Sequence, residues 1–465
     1  MSFSTKLADS FGKVIDSTPY TAVDPIVKIN YIAKGNNVIF GGHGVGQSPH
    51  NLIYIGKIFE GAQAKSYLGA DAWVNVSFPH VIYVSGTRGS GKSFDLGVLV
   101  EGLSSLTNPS NVSIDVEPVS TVLIDMQSQF WTLRYAPRHD VEQNKGQLDA
   151  LKEWNIQPNS LSNCVIYVPE GGQGFLGDEK TLQIRPRDVP HEDWCRLLGQ
   201  QIYSPQGHVL GETLRYLSDQ AFSIEDMLNY IGNARNFPNI PDASRNAIHY
   251  RLLEYNESKL FHKDGLDISD LLKPGQCSVL MLRDLRDEDK SLVTALIARK
   301  LFTVMGEYHR QKKVADFFKQ PSKVMDVPSK VWLLIDEAHV VAPKDVDSPA
   351  RDALVEYVKR GRDAGLSLVL ATQQPSAVDD RILSQVNLSF NHRLAFQTDI
   401  AAAVARVPTK PLSCLKVSGT QLNDFSDMLR LLESGECFLG DHSTSRTVMV
   451  KIRPRITAHG GYSPV

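Results

Sequence analysis

Short runs of consecutive apolar residues mark out most of the chain, and several end abruptly in a carboxylate, a glycine or a proline. Runs of this length, with no strict apolar–polar alternation, predict strands buried on both faces. They occur at residues 81–84, 120–124, 164–168, 277–282, 331–335, 366–371, 436–440 and 447–452. Helical spacing follows the first run at 94–100 and recurs over 290–308, where Leu292, Ala295, Leu296, Arg299 and Phe302 share a face. Ser348 with Pro349 predicts another helix start, running to Lys359-Arg360. From about 190 to 272 the period is helical throughout, with Trp194, Leu197 and Leu198 on one face and Leu214, Leu217 and Phe222 on the next. That region predicts an all-helical insertion in an otherwise alternating α/β chain.

The first 76 residues differ. Short apolar runs at 26–29, 37–40 and 52–55 are punctuated by glycine, as at 41–46, and predict a small β-rich, barrel-like unit. The predicted layout is therefore an N-terminal β unit (1–76), a core first half (77–188), the helical insertion (189–275), a core second half (276–440) and a terminal strand and tail (441–465). Residues 311–330 are polar with Pro321 and Pro328 and predict a loop, and 388–396 predict a strand with Arg393 inside it.

With 465 residues, 42% hydrophobic and 22% charged, the chain has the composition of a globular protein of two or three domains. A formal net charge of −3 means that any nucleic-acid contact must come from local basic patches. No apolar run reaches membrane-spanning length, and residues 1–6 lack the apolar core of a signal peptide. The five cysteines are widely spaced, as in a cytoplasmic, reducing setting. Neither they nor the thirteen histidines show a metal-ligand spacing, so no metal is expected beyond nucleotide-bound Mg²⁺.

The chemistry begins at Gly86-Thr87-Arg88-Gly89-Ser90-Gly91-Lys92-Ser93, between a predicted strand and a helix opening with Phe94. Glycines allow successive backbone N–H groups to face phosphate oxygens, and the helix N-terminus adds its positive dipole. Lys92 is expected on the β- and γ-phosphates of a nucleoside triphosphate, and Ser93 on Mg²⁺. Asp125 closes a second strand, either facing the ligand or starting a turn. Asp336-Glu337 follows the run at 331–335, placing Asp336 on the Mg²⁺ side and Glu337 as a general base for water. Gln373, just after the run at 366–371, is placed to contact the γ-phosphate or the attacking water. Trp131, Arg134 and Arg138 interleave aromatic and basic groups, a pattern that suits nucleic acid and equally a packed loop. Arg362 either complements a helix dipole or acts in catalysis.

These motifs together define a motor-type ATPase of the RecA-like α/β class. The chain resembles the HerA branch of the HerA/FtsK superfamily from about residue 53 onward. The resemblance rests on Ile55-Gly56-Lys57, the Gly86–Ser93 loop, residues 334–339 (Leu-Ile-Asp-Glu-Ala-His), 361–376 (Gly-Arg-Asp-Ala-Gly through Ala-Thr-Gln-Gln-Pro-Ser), 383–387 and the terminal Arg453-Pro454-Arg455 stretch. It implies a homo-hexameric ring that hydrolyses ATP, pulls duplex DNA through its pore and works with a nuclease or other effector docked on the N-terminal unit, in repair or antiphage defence. It also implies arginine fingers, for which Arg362 and Arg393 stand in matching places. A nucleotide-gated scaffold with little DNA motion is the alternative. Two departures stand out: Met126-Gln127-Ser128-Gln129 replaces a Pro-His-Gly-Glu type run, and Pro79 precedes His80 where an arginine is common.

Overall fold

The computed structural model describes residues 32–34, 37–42, 50–58, 70–319, 327–408, 415–417, 420–422 and 424–461. The β runs expected at 26–29 and most of the glycine-rich turn at 41–46 lie outside them.

The first strands are β1 (Ile32–Lys34), β2 (Asn37–Phe40), β3 (Leu52–Ile58), β4 (Asp71–Asn75), β5 (Val81–Ser85) and β6 (Ser113–Ile114). Then come β7 (Ser120–Asp125), β8 (Cys164–Pro169), β9 (Lys180–Leu182), β10 (Cys277–Met281), β11 (Val331–Ile335) and β12 (Leu366–Thr372). The last are β13 (Leu388–Asn391), the hairpin β14 (Leu415–Val417) and β15 (Thr420–Leu422), β16 (Glu436–Asp441) and β17 (Arg446–Ile452). The main helices are α1 (Lys92–Leu103), α2 (Lys145–Glu153), α3 (His191–Leu197), α4 (Pro205–Leu217), α5 (Ile224–Gly232), α6 (Asp242–Ser258), α7 (Asp287–Phe318) and α8 (Pro349–Arg360).

Among the described residues one 15-stranded sheet runs β1-β2-β4-β3-β17-β16-β13-β5-β12-β11-β7-β10-β8-β9, with β6 on β3. Every pair from β13 to β9 is parallel. The apolar runs are unbroken because both faces are covered. Leu333 and Ile335 of β11 join Val122, Ile124, Leu368 and Leu370 in a core shared with α3–α8. Trp332 and Leu334, one residue out of phase, join Ile82, Leu123 and Val369 in the core under α1.

Three expectations change. The described N-terminal strands do not close on themselves: β17 pairs with β3, so β1–β4 extend the motor's own sheet. The helix expected to stop near Tyr308 runs to Phe318, because residues 309–318 contain no glycine or proline and include the helix formers Arg310, Gln311, Lys312, Lys313 and Ala315. It ends only at Lys319, in the left-handed conformation (φ 51°). The strand expected over 388–396 stops at Asn391, which leaves Arg393 outside it. Ser348 caps α8 as expected, accepting from Arg351 N–H at 3.2 Å. The helical insertion forms as α3–α6, with Ser223 and Asp226 making a capping box on α5.

The terminal Arg-Pro-Arg stretch is basic in sequence but fully buried. Arg453 Nη1 donates to Glu101 Oε2 at 2.7 Å, and Thr457 donates through N–H and hydroxyl to Glu101 Oε1. Arg453 also donates to the carbonyls of Tyr54 and Val98. Gly97 in α1 is needed there, since a Cβ would lie 2.5 Å from Arg455 Nε. Glu101→Gln should unfold the protein more easily by about 3–5 kcal/mol, because it leaves Arg453 buried without its counter-charge. Urea denaturation checks this, and an unchanged midpoint would show that the pair is dispensable.

Candidate functional site

β5 delivers the chain into the phosphate loop, and α1 begins at Lys92. Gly89 and Gly91 take positive φ (73° and 127°), which side-chain-bearing residues rarely adopt. A Cβ at Gly86 would lie 2.4 Å from Ser90 Oγ and 2.7 Å from His392 Cβ, so the loop is folded tightly on itself. Lys92 Nζ donates to Thr87 O at 3.0 Å, lying across the loop. Burial lowers the Lys92 pKa, while Glu337, Asp336 and Asp95 act to raise it.

β7 and β11 are adjacent and parallel, which brings Asp125 and Asp336 together at their carboxyl ends. Asp125 is spent on structure. Its oxygens accept from Gln127 N–H (3.1 Å) and Phe130 N–H (2.8 Å), shaping the turn that follows. Burial pushes Asp125 up to about 6 against those hydrogen bonds. Burial likewise pushes Asp336 up to about 7, with Glu337 and Asp125 adding to the rise. Ser93 Oγ faces Asp336 Oδ2 at 3.4 Å. Three buried carboxylates against one buried lysine leave an excess of negative charge. A hydroxyl beside a carboxylate is also a hard oxygen donor set, so the residues fit Mg²⁺.

Glu337 sits in the left-handed region (φ 50°, ψ 51°), a costly conformation for a residue with a Cβ, and only 6% of it is exposed. Gln127 Nε2 donates to Glu337 Oε1 at 2.7 Å, and Gln373 Nε2 donates to the same oxygen. Gln129 in turn donates to Gln127 Oε1. Glu337 Oε2 is buried with no hydrogen-bond partner. His339 Nδ1, bonded to Thr372 Oγ1, stands 3.6 Å from it. The departure at 126–129 thus has a visible consequence: amides occupy the place of the acid and hold Glu337 from the side.

A cavity of about 460 Å³ joins these parts. Arg88, Gly89, Lys92, Ser93, Glu337 and Gln373 form part of its lining. The rest of its wall includes Trp154, Lys451, Pro454 and His459, which are distant in sequence and carry no motif. A second arrangement also escaped the sequence reading: His392 Nε2 pairs with Asp95 Oδ2 at 2.8 Å and its Nδ1 with Glu436 O at 2.9 Å, with Cys437 adjoining. Fully buried, it braces the floor of the phosphate loop against α1 and β16.

The remaining predicted residues lie apart. Arg393 is exposed, and its carbonyl accepts from Thr87 N–H at 2.9 Å, so it flanks the phosphate loop. Arg362 is exposed at the opposite, amino-terminal ends of β5 and β12, beside Lys359, His80 and His442. Trp131 stacks on Phe175 (ring centroids 5.1 Å apart, 15° between planes). Arg134 makes a two-pronged pair with Asp178 (2.8 and 2.7 Å), and Arg138 pairs with Asp140. Within this chain the two basic groups are therefore already matched by acids. No helix among the described residues is long and apolar enough to cross a membrane.

A parallel sheet with a phosphate loop after one strand, paired acids at the end of another and an amide at the end of a third defines the RecA-like phosphate-loop ATPase class. Residues 53–301 match the family model described as "Helicase HerA, central domain", which spans more than half of the chain, and the chain belongs to that family. It is similar to the DNA double-strand break repair helicase HerA of Sulfurisphaera tokodaii, with 24% identity over 186 residues covering 40% of this chain and 33% of the relative. The protein of the same name from Pyrococcus furiosus is 24% identical over 197 residues, covering 39% and 33%. The chain thus spans about a third of the length of the relatives it matches. Plasmid coupling protein TrwB, solved in complex with ADP and Mg²⁺, shares the fold at 13% identity, with a TM-score of 0.50 covering 90% of this chain and 97% of that one.

Proposed function

We propose that the protein is an ATP-hydrolysing ring motor, a homo-hexamer that translocates on or unwinds duplex DNA together with a nuclease or other effector. The observation that carries this reading is the convergence of Lys92, Ser93, Glu337 and Gln373 on one cavity, with Asp336 buried 3.4 Å behind Ser93, in a chain of the HerA family. Repair is the process named for the similar helicases, and antiphage defence suits a motor paired with a nuclease equally well. The effector docks on the N-terminal strands, where β1 is the sheet edge among the described residues.

In this mechanism the loop's backbone N–H groups and Lys92 hold the triphosphate. Ser93 and Asp336 would hold Mg²⁺, which would supply positive charge to offset that of the phosphates. Glu337 accepts the proton of the attacking water through Oε2, while the amides of Gln127 and Gln373 fix Oε1. Gln373 also reports the γ-phosphate to β12.

The test is Mg²⁺-dependent ATP turnover with and without duplex DNA. Stimulation by DNA is expected, and turnover indifferent to DNA is what a nucleotide-gated scaffold would show. The turn after Asp125, with Trp131, Arg134 and Arg138, is proposed to line the pore. Arg134→Ala and Arg138→Ala should each weaken DNA binding and flatten its dependence on log salt by about one unit. Unchanged affinity and slope in both variants would move the pore lining elsewhere.

A further inference from the structure

The cavity is larger than the phosphate site, and part of its lining has a different chemistry. Beside Lys92 and Ser93 the lining includes Phe94, Ala150, Trp154, Ile452, Pro454 and His459, with Gln129, Ser434 and Lys451 among them. Phosphate oxygens have no use for that apolar, ring-rich surface. A flat aromatic group does.

We propose that the last strand and the tail after it, residues 451–461, form the wall that binds the nucleoside of the nucleotide. This rests on the proposed nucleotide site and adds to it the group that recognises the base. Phe94 leaves the phosphate loop and meets His459 edge to face, with centroids 5.6 Å apart and 71° between planes. The two rings join the start of α1, beside the phosphate loop, to the tail. Arg455 Nη1 lies 3.3 Å from His459 Nδ1. An arginine can only donate, so Nδ1 accepts and the imidazole is neutral, with its proton on Nε2. Burial and Arg455 push the His459 pKa down to about 3, which agrees. A neutral ring can stack on a base without bringing a charge that must be desolvated.

The wall is also rigid. Glu101 of α1 grips Arg453 and Thr457. Gln147 of α2 donates to the carbonyls of Arg455 (2.8 Å) and Thr457 (2.7 Å). Gly460 passes so close to the turn after β7 that a Cβ would lie 2.4 Å from Gln129 O. The tail is therefore tied to the helix that carries Lys92 and to the turn that carries Gln127. Such preorganisation spares a bound base the cost of ordering its own site.

Inorganic triphosphate separates contacts to the phosphates from contacts to the nucleoside. Both ATP and Mg²⁺-triphosphate are titrated against the wild-type protein, His459→Ala and Lys92→Ala. His459→Ala should weaken ATP binding about tenfold, the scale of one lost ring contact, and leave triphosphate affinity unchanged. Lys92→Ala should weaken both. Equal losses of both ligands in His459→Ala, or no loss of either, would overturn the assignment. Binding of neither ligand to the wild-type protein would overturn the nucleotide site itself. A second measurement needs no variant: photolabelling of the wild-type protein with 8-azidoadenosine triphosphate should mark Phe94, Trp154 or the 451–461 peptide. Labelling confined to other peptides would reject the wall.

Discussion

Glu337→Gln is expected to leave nucleotide bound and almost unhydrolysed, with turnover lower by about 10²–10⁴-fold. The geometry makes this a clean substitution. Gln127 and Gln373 both donate to Oε1, and a glutamine at 337 can turn its own carbonyl to meet them. That leaves the new amide NH₂ at the position of Oε2. A donor then stands where the water's proton must go, and an NH₂ group cannot take it. Nothing at the phosphate loop changes, so affinity for ATP should stay within a few-fold. Equilibrium binding with single-turnover kinetics separates the two quantities. Turnover at the wild-type rate would falsify the assignment of Glu337 as base.

The second large effect concerns the arginines. Arg362 lies at the amino-terminal ends of the strands, whereas Lys92 and Glu337 lie at the carboxyl ends. It therefore lies away from its own phosphates, so any action it has on a phosphate is on a neighbour's. Arg393, whose carbonyl bonds Thr87, stands beside its own loop. Arg362→Ala should cost about 10³–10⁵-fold in turnover, as loss of an arginine finger does. Mixing Arg362→Ala subunits with Lys92→Ala subunits should recover activity, because some boundaries then pair an intact loop with an intact arginine. Arg393→Ala subunits should recover in the same way only if that residue also crosses a boundary. An active monomer, or no recovery in either mixture, would argue against hydrolysis at subunit boundaries.

The phosphate loop and the acids at 336 and 337 were legible because each is a local pattern whose spacing alone sets its geometry. The parallel strands were legible for a similar reason, since burial on both faces leaves unbroken apolar runs. What escaped depends on contacts between distant stretches. Gln127 is one polar residue in a polar turn until β7 and β11 place it 2.7 Å from Glu337. Arg453 and Arg455 have the composition of a solvated basic tail, and only Glu101, some 350 positions away, makes their burial affordable. The extra turns of α7 were hidden by their polarity, which marks a projecting helix as readily as a loop. The N-terminal strands carry no sign of which sheet they join, because their partner β17 is read so much later.

That last pairing bears on how the chain is made. β17 lies inside the sheet, between β3 and β16, yet every other described strand leaves the ribosome before it. Until it arrives, part of β3 presents bare N–H and C=O groups, and the N-terminal strands have no bond to the motor through it. Pairings of such long sequence separation close slowly, and an open edge invites association with other chains in the meantime. Until β17 is made, the described sheet exists in two unjoined pieces, β1–β4 with β6 on one side and β16 through β9 on the other, and the nascent protein is then most in need of a chaperone.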